Sequence, residues 1–323
     1  MDKKIVMTGI GDVDKLSVRP GIPEAPGPGF VRVRHEAIGV NFIDIYHRIG
    51  LYPIITPAVL GVEGAGVIEA VGTDVTGLAI GDRIAYAGAP VGAYASTRVL
   101  PAARAIRLPD DISFETAAAT MLRGLTAHML LTMTFPVGRG TTVLIHAAAG
   151  GIGSILVRWA KHLGAIVIGT VGSEEKAARA KALGADHVII GRNADIVNVV
   201  ASLTNGRGVD FAIDGIGGEM LLKSINCVRP FGTVASIGQA AGPIPLLSVD
   251  SLGPRRSISL ARPSIMAYSA DLTVYPAAAQ ALFSAMQIGI VGDIGAKYSL
   301  SEAATAQASL EHGTTTGSIL LLP

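Results

Sequence analysis

The sequence predicts an α/β protein in two regions, one mostly β and the other built on a doubly wound parallel sheet. Three observations carry this expectation. Residues 1–121 hold short β-like runs cut by Pro and Gly, such as 30–34 (FVRVR), 66–71 (GVIEAV) and 83–87 (RIAYA), with PGPG at 26–29 between them. From residue 142 onward strands and helices alternate, which is the pattern of βαβ units and a parallel sheet covered on both faces. A glycine-rich segment, 145–153 (IHAAAGGIG), stands where the first of those strands turns into the first helix.

The elements follow in order. Residues 117–131 (AAATMLRGLTAHMLL) read as a helix. Strands are expected at 142–146, 165–170, 187–190, 209–214, 233–238 and 257–261. Helices between them are expected at 151–163, 173–183, 194–203 and 219–228. A helix at about 271–288 and a β-like tail at 318–322 close the chain, the tail packing back on the first region.

Composition narrows the function classes. Half of the 323 residues are hydrophobic, 16% are charged and 40 are glycine, the profile of a well-buried α/β enzyme rather than a disordered or fibrous chain. The mean hydropathy of +0.49 reflects parallel strands buried on both faces. No run of about 18 residues is free of charged or helix-breaking residues, as a membrane span would need. The first ten residues carry two lysines but no long apolar core, so no signal peptide is expected. A net charge of +1 without a basic block argues against nucleic acid. The one cysteine, Cys227, cannot make an internal disulfide, and cytoplasm is the default compartment.

Segment 145–153 can be read against the fingerprint G-x-G-x-x-G. Ala148 takes the first glycine place, and Gly150 and Gly153 the second and third, with Gly151 and Ile152 between them. The middle glycine lets backbone approach a pyrophosphate, the last lets helix pack on strand, and the helix N-terminus offers unpaired N–H groups. The plainer alternative is a tight turn with no ligand. At the tip of the second strand an NAD site would carry Asp or Glu for the ribose 2′-hydroxyl. Here the tip is Val171-Gly172, followed by Ser173, Glu174, Glu175 and Lys176. The missing acid, with Ser173 and Lys176 beside it, favours a 2′-phosphate and hence NADPH. Ser173 also fits a helix N-cap, Lys176 a solvated position, and either glutamate a displaced ribose acid.

A catalytic zinc needs about three Cys, His, Asp or Glu ligands. The seven histidines, at 35, 47, 128, 146, 162, 187 and 312, form no closely spaced pair, and Cys227 reads as a small core residue. No metal site is expected.

Further segments carry a resemblance. They are Gly39-Val40-Asn41-Phe42-Ile43-Asp44, Gly50-Leu51-Tyr52-Pro53, Gly61-Val62-Glu63-Gly64-Ala65-Gly66, Gly81-Asp82-Arg83 and Gly92-Ala93-Tyr94. With AAAGGIG they resemble the zinc-free quinone oxidoreductase branch of the medium-chain dehydrogenase/reductase family. The resemblance runs end to end, through Ala261-Arg262-Pro263-Ser264 to Gly317-Ser318. GVNFID with AAAGGIG is specific to that branch, whereas GDR alone is not. The resemblance implies a GroES-like catalytic domain (1–121 and 267–323), a Rossmann NADPH-binding domain (122–266), and an active site in the cleft between them. It also implies a homodimer joined through the edges of the two cofactor sheets. Zinc-dependent relatives carry Cys where Asn41 stands and His near Val62.

By the same resemblance Asn41, Tyr46, Tyr52 and Arg262 line the nicotinamide and substrate pocket, and Thr126 lies near the nicotinamide. Lys176 matches a 2′-phosphate lysine, and Gln239 stands where relatives hold an amide near the cofactor. Two positions depart from the pattern. Gly191 replaces a Tyr beside the adenosine phosphate, and Gly313 replaces an Arg that reaches the cofactor. Arg192, next to Gly191, offers a guanidinium suited to phosphate.

The expected activity is reduction of a quinone by NADPH, with Asn41, Tyr46, Tyr52 and Arg262 stabilising charge on the carbonyl oxygen. Each has a plainer alternative. Asn41 could bond backbone in a turn and Asp44 could cap. The tyrosines could only line the pocket, and Arg262 could bind cofactor phosphate or ribose. Two rival functions stay open: reduction of activated double bonds in enones or enoyl thioesters, and a non-catalytic NADPH-binding role.

Overall fold

The computed structural model describes residues 2–323. The chain divides into two units, one ending at Leu125 and resuming over Ile265–Pro323, the other spanning Thr126–Ser264. The first begins with β1 (Lys3–Met7), β2 (Leu16–Pro20), β3 (Phe30–Val40), α1 (Phe42–Arg48) and β4 (Ala58–Val59). It continues with β5 (Glu63–Val71), β6 (Arg83–Ala87), β7 (Thr97–Pro101) and β8 (Ile106–Arg107). Helix α2 (Phe114–His128) leads into the second unit and widens into a π-helical turn over Met129–Thr134.

The second unit holds β9 (Thr142–Ile145), α3 (Gly151–His162), β10 (Ile166–Val171), α4 (Glu174–Ala182) and β11 (His187–Ile190). These are followed by α5 (Ile196–Leu203), β12 (Val209–Asp214), α6 (Glu219–Cys227), β13 (Val228–Ser236) and β14 (Ser259–Ala261). The chain returns to the first unit with α7 (Ile265–Ala270), α8 (Tyr275–Gln287), β15 (Ile294–Ser299), α9 (Ala303–Glu311) and β16 (Ser318–Leu322).

In the first unit a sheet runs in the order β15-β16-β3-β5-β6-β8, with β7 also paired to β3, and a small sheet runs β2-β1-β4. Strand β3 sets the pattern. Val31, Val33 and His35 are buried while Phe30 and Arg34 are exposed, the period of two expected of a strand with one wet face. The core gathers Ile5, Met7, Val31, Val33, Leu60, Ile84 and Tyr86 with Ile319 and Leu321 of β16. Strand β16 pairs antiparallel with β3 and parallel with β15, so the tail does pack back on this unit.

In the second unit six strands, all parallel, run in the order β11-β10-β9-β12-β13-β14. This is the doubly wound order, which reverses between β9 and β12. All six residues of β12 are buried, the two aspartates included, as a strand covered on both faces requires. The helices start where the sequence supplies caps. Ser173 Oγ accepts from Lys176 N–H at α4, and Asp195 Oδ1 accepts from Asn198 N–H at α5.

Several elements differ from expectation. The Asp195 cap moves the start of α5 from residue 194 to Ile196. The helix expected at about 271–288 is α8, starting at Tyr275, and the short helix α7 before it was not expected. Pro276, in the first turn of α8, favours a new start there. Helix α1, strand β15 and helix α9 were not expected. The alternating exposure of β15 (IGAKYS) marks a half-wet strand without a β-branched run, and α9 buries little but Ala303, Ala306 and Gln307.

Candidate active site

In the first unit the site begins where β3 turns into α1. The Asn41 N–H donates to Asp44 Oδ2 at 2.9 Å, and the Tyr94 hydroxyl donates to the same oxygen at 3.0 Å. Asn41 also uses its amide on a side chain. Its Nδ2 donates to Glu63 Oε1 at 2.6 Å, and Glu63 Oε2 accepts the Leu122 N–H at 2.6 Å. Gly39 makes this possible, because a Cβ there would overlap Glu63 Oε1 and the Ala118 carbonyl. Arg123 Nη1 lies 4.0 Å from Glu63 Oε1, while the guanidinium donates to Ser318 Oγ and the Val40 carbonyl, both at 2.9 Å. Asp44 and Glu63 are both fully buried. Two carboxyls thus face one cation.

Electrostatics follow from that imbalance. Burial pushes Asp44 up to about 7 and also raises Glu63, for which the Arg123 charge is the main opposing influence. A carboxyl whose folded value lies above its unfolded one contributes its stabilisation in full below the ordinary value of 3.8 and loses it as pH rises through 7. We predict that Asp44→Asn, which keeps an acceptor for Asn41 and Tyr94, removes a stability loss of roughly 2 kcal/mol between pH 5 and 7. Urea denaturation at the two pH values checks this, and an equal slope in both proteins would refute it.

Tyr46 on α1 and Tyr52 in the following turn meet edge to face, ring centroids 5.4 Å apart at 75°. Tyr52 N–H donates to the Tyr46 carbonyl at 3.1 Å, and His47 Nδ1 donates to the Tyr52 carbonyl at 3.1 Å. Asn41, Tyr46 and Tyr52 are therefore brought together on one helix and its exit turn.

In the second unit the loop after β9 is pinned to its neighbour. Ala148 N–H donates to the Thr170 carbonyl of β10 at 3.0 Å, and Gly150 N–H donates to the Ala147 carbonyl at 2.8 Å. Ala147 takes a left-handed φ of 50°. Ala148 can occupy the first glycine place because β10 offers Gly169 opposite it, where a Cβ would come within 2.7 Å of the Ala148 Cβ. At Gly153 a Cβ would overlap the Ala147 carbonyl and lie 2.9 Å from the Ala148 Cα. Helix α3 starts at Gly151 with Gly150 as a cap that has no side chain, so no side chain covers its first N–H groups. Such an end fits a pyrophosphate.

At the tip of β10 no carboxylate stands at Gly172. Arg192 Nε lies 3.9 Å from where a Gly172 Cβ would sit, because Gly191 N–H bonds the Val171 carbonyl and brings the start of the next loop alongside. Ser173 caps α4 through its oxygen, and Lys176 lies half-buried in the first turn. The 217 and 239 backbones are in close approach, since a Cβ on Gly217 would come within 2.6 Å of the Gln239 Cα. Arg262, just after β14, is exposed and donates to Oγ of Ser236, the last residue of β13, at 3.1 Å. Thr126 stands in α2. Among the described residues no group of three or more His, Cys, Asp or Glu side chains gathers as a metal site would need.

Sequence reasoning missed Glu63 as the partner of the Asn41 amide and Arg123 as the cation facing Glu63. The available signal was an acid inside a strand of small apolar residues, which demands a buried partner.

Comparison with known proteins agrees with this geometry. Residues 27–110 match the alcohol dehydrogenase GroES-like domain, and residues 151–282 match the zinc-binding dehydrogenase domain. The chain is therefore a two-domain dehydrogenase/reductase of the alcohol dehydrogenase type. It is 42% identical to a quinone oxidoreductase of Pseudomonas aeruginosa, over 100% of both chains. It is 44% identical to a 2-haloacrylate reductase of a Burkholderia species, over 93% of this chain and 92% of that one. The crystal structure of Escherichia coli quinone oxidoreductase complexed with NADPH superposes with a TM-score of 0.95 at 37% identity, covering 99% of this chain and 100% of that one. The chain belongs to the quinone oxidoreductase branch of the medium-chain dehydrogenase/reductase family.

Proposed function

We propose that the chain reduces quinones with NADPH and without zinc. The observation that carries this reading is the tip of β10, where Gly172 stands in place of an acid and the Arg192 side chain lies against it. Two cations, Arg192 and Lys176, suit a 2′-phosphate, and guanidinium matches phosphate geometry. Residues Ala148, Gly150, Gly151, Ile152 and Gly153 are assigned to the pyrophosphate, Ser173, Lys176 and Arg192 to the adenosine phosphate, and Thr126 and Gln239 to the nicotinamide side. Bound NADPH supplies hydride. The chain supplies donors to the oxygen on which negative charge builds: the amide of Asn41, the hydroxyls of Tyr46 and Tyr52, and Arg262. The Glu63 contact orients the Asn41 amide before substrate arrives.

A second reading, reduction of an activated carbon–carbon double bond, is favoured by the likeness to the 2-haloacrylate reductase. Titration with NADPH and NADH by nicotinamide fluorescence, then addition of 1,4-benzoquinone, 1,2-naphthoquinone and an enone, tests both. We expect NADPH to bind more tightly than NADH, and the quinones to be reduced faster than the enone. Arg192→Ala is expected to weaken NADPH about ten- to hundredfold and to leave NADH within about twofold. A native protein that binds both coenzymes equally, or neither, would overturn the assignment.

We further propose a homodimer built on the edge strand β14. Phe231, Leu246 and Val249 of the same unit are largely exposed, at 76%, 104% and 81%, and apolar groups left open in this way mark contact surfaces. Sedimentation equilibrium should give twice the mass of the chain. Cytoplasm is the assigned compartment, since the lone thiol, Cys227, is buried and forms no disulfide. Cell fractionation should recover the chain with cytosolic proteins.

A further inference from the structure

Beneath the loop after β9 lies a buried chain of polar side chains. Thr170 Oγ1 is 2.9 Å from His146 Nδ1, His146 Nε2 is 2.9 Å from Ser224 Oγ, and Ser224 Oγ donates to Asp214 Oδ2 at 2.8 Å. All four residues are buried. The direction of the bonds can be deduced. The Asp214 carboxylate only accepts, so the Ser224 hydroxyl gives it its proton. His146 must then donate to Ser224 from Nε2, and a neutral ring accepts from Thr170 at Nδ1. Burial lowers the His146 pKa, which agrees with a neutral ring.

Three of the members sit at strand ends, and Ser224 stands on α6. His146 follows β9, Thr170 lies near the end of β10, and Asp214 ends β12. Two of them also hold a turn. The Thr170 carbonyl accepts the Ala148 N–H of the glycine-rich loop. Asp214 Oδ1 accepts the N–H groups of Ile216 at 2.8 Å and Gly217 at 3.0 Å, which fixes the turn after β12. The strand order reverses between β9 and β12. In a doubly wound sheet that reversal separates the two mononucleotide halves, and a dinucleotide lies across it. The polar chain crosses the same line.

We propose that His146, with Thr170, Ser224 and Asp214, is a positioning device that holds the two nucleotide-binding halves in register, so that it governs affinity for the whole dinucleotide and not for either half. This rests on the dinucleotide reading above. His146 touches no reacting atom and acts through the turns it ties together.

The test compares two probes, NADPH and 2′,5′-ADP, which carries only the adenosine half. Dissociation constants are measured by calorimetry for the native chain and for Ser224→Ala, Thr170→Val and Thr170→Ser. Ser224→Ala cuts the link between the halves, and Thr170→Val releases the His146 ring with little change of shape. Both should weaken NADPH about tenfold and leave 2′,5′-ADP within about twofold. Thr170→Ser keeps the hydroxyl and should restore native NADPH affinity. If Ser224→Ala fails to fold, the Thr170 pair still decides the matter. Parallel loss for both probes, or no loss for either, would overturn the positioning role. A native chain that binds 2′,5′-ADP and NADPH equally would do so as well, since no register would then be at work. Failure of the native chain to bind either probe would instead bring down the dinucleotide reading, and this inference with it.

Discussion

Arg123→Leu is expected to destabilise the first unit by about 3–5 kcal/mol at pH 8, the cost of stranding a buried charge. The guanidinium is the one cation among the described residues within salt-bridge reach of Glu63. It also satisfies the Val40 carbonyl and Ser318 Oγ, which join the start of α1 to strand β16. Its loss leaves two buried carboxyls with no counter-charge and two acceptors without their donors. The cost should shrink toward pH 5. Burial already raises Glu63 and Asp44, and without the cation both take up protons more readily. Adding Glu63→Gln to Arg123→Leu should recover part of the loss at pH 8, because the stranded charge is then gone. Urea midpoints at the two pH values measure all of this. An Arg123→Leu protein with native stability at pH 8 would show that the pair carries no such role.

Gly153→Val is expected to abolish measurable NADPH binding, a loss of at least about a hundredfold. The added atoms must overlap the Ala147 carbonyl and crowd the Ala148 Cα, so α3 and the loop cannot keep their present approach. The first N–H groups of α3 then move away from the loop that shares their task. Fluorescence titration reads the binding, and far-ultraviolet circular dichroism verifies that the fold survives. Native affinity in this variant would mean that the glycine-rich segment is a turn and nothing more.

The sheet cores were legible in the sequence. Strands β6, β11, β12 and β16 occupy the expected residues, because each is a run of β-branched or apolar residues that needs only its own sequence to be recognised. Helix α1 was hidden. Seven residues starting beside a strand give too short a period to see, and the helix depends on the Asp44 cap. The glycine-rich loop was legible because its glycines answer steric demands made within a few residues. Two other features were not. The approach of Arg192 to Gly172 depends on β11 pairing with β10. The contact between Glu63 and Arg123 joins residues of β5 and α2 that only the folded chain brings near. Ala148 is the intermediate case. It looks like a defect in the fingerprint until Gly169, on the neighbouring strand, is found to have given up the space.

Strand β16 sits between β15 and β3, and Ser318, Ile319, Leu320 and Leu321 are all buried there. This has a consequence for synthesis. Residues 126–264 leave the ribosome as one continuous stretch and can complete their own sheet while translation continues. The other unit must wait, with the end of β3 at Ile38–Val40 unpaired on the edge away from β5, until β16 has been made. Exposure to chaperones and proteases therefore falls unevenly on the two units, and a premature stop shortly before residue 318 would leave one finished and the other without the strand that joins β15 to β3.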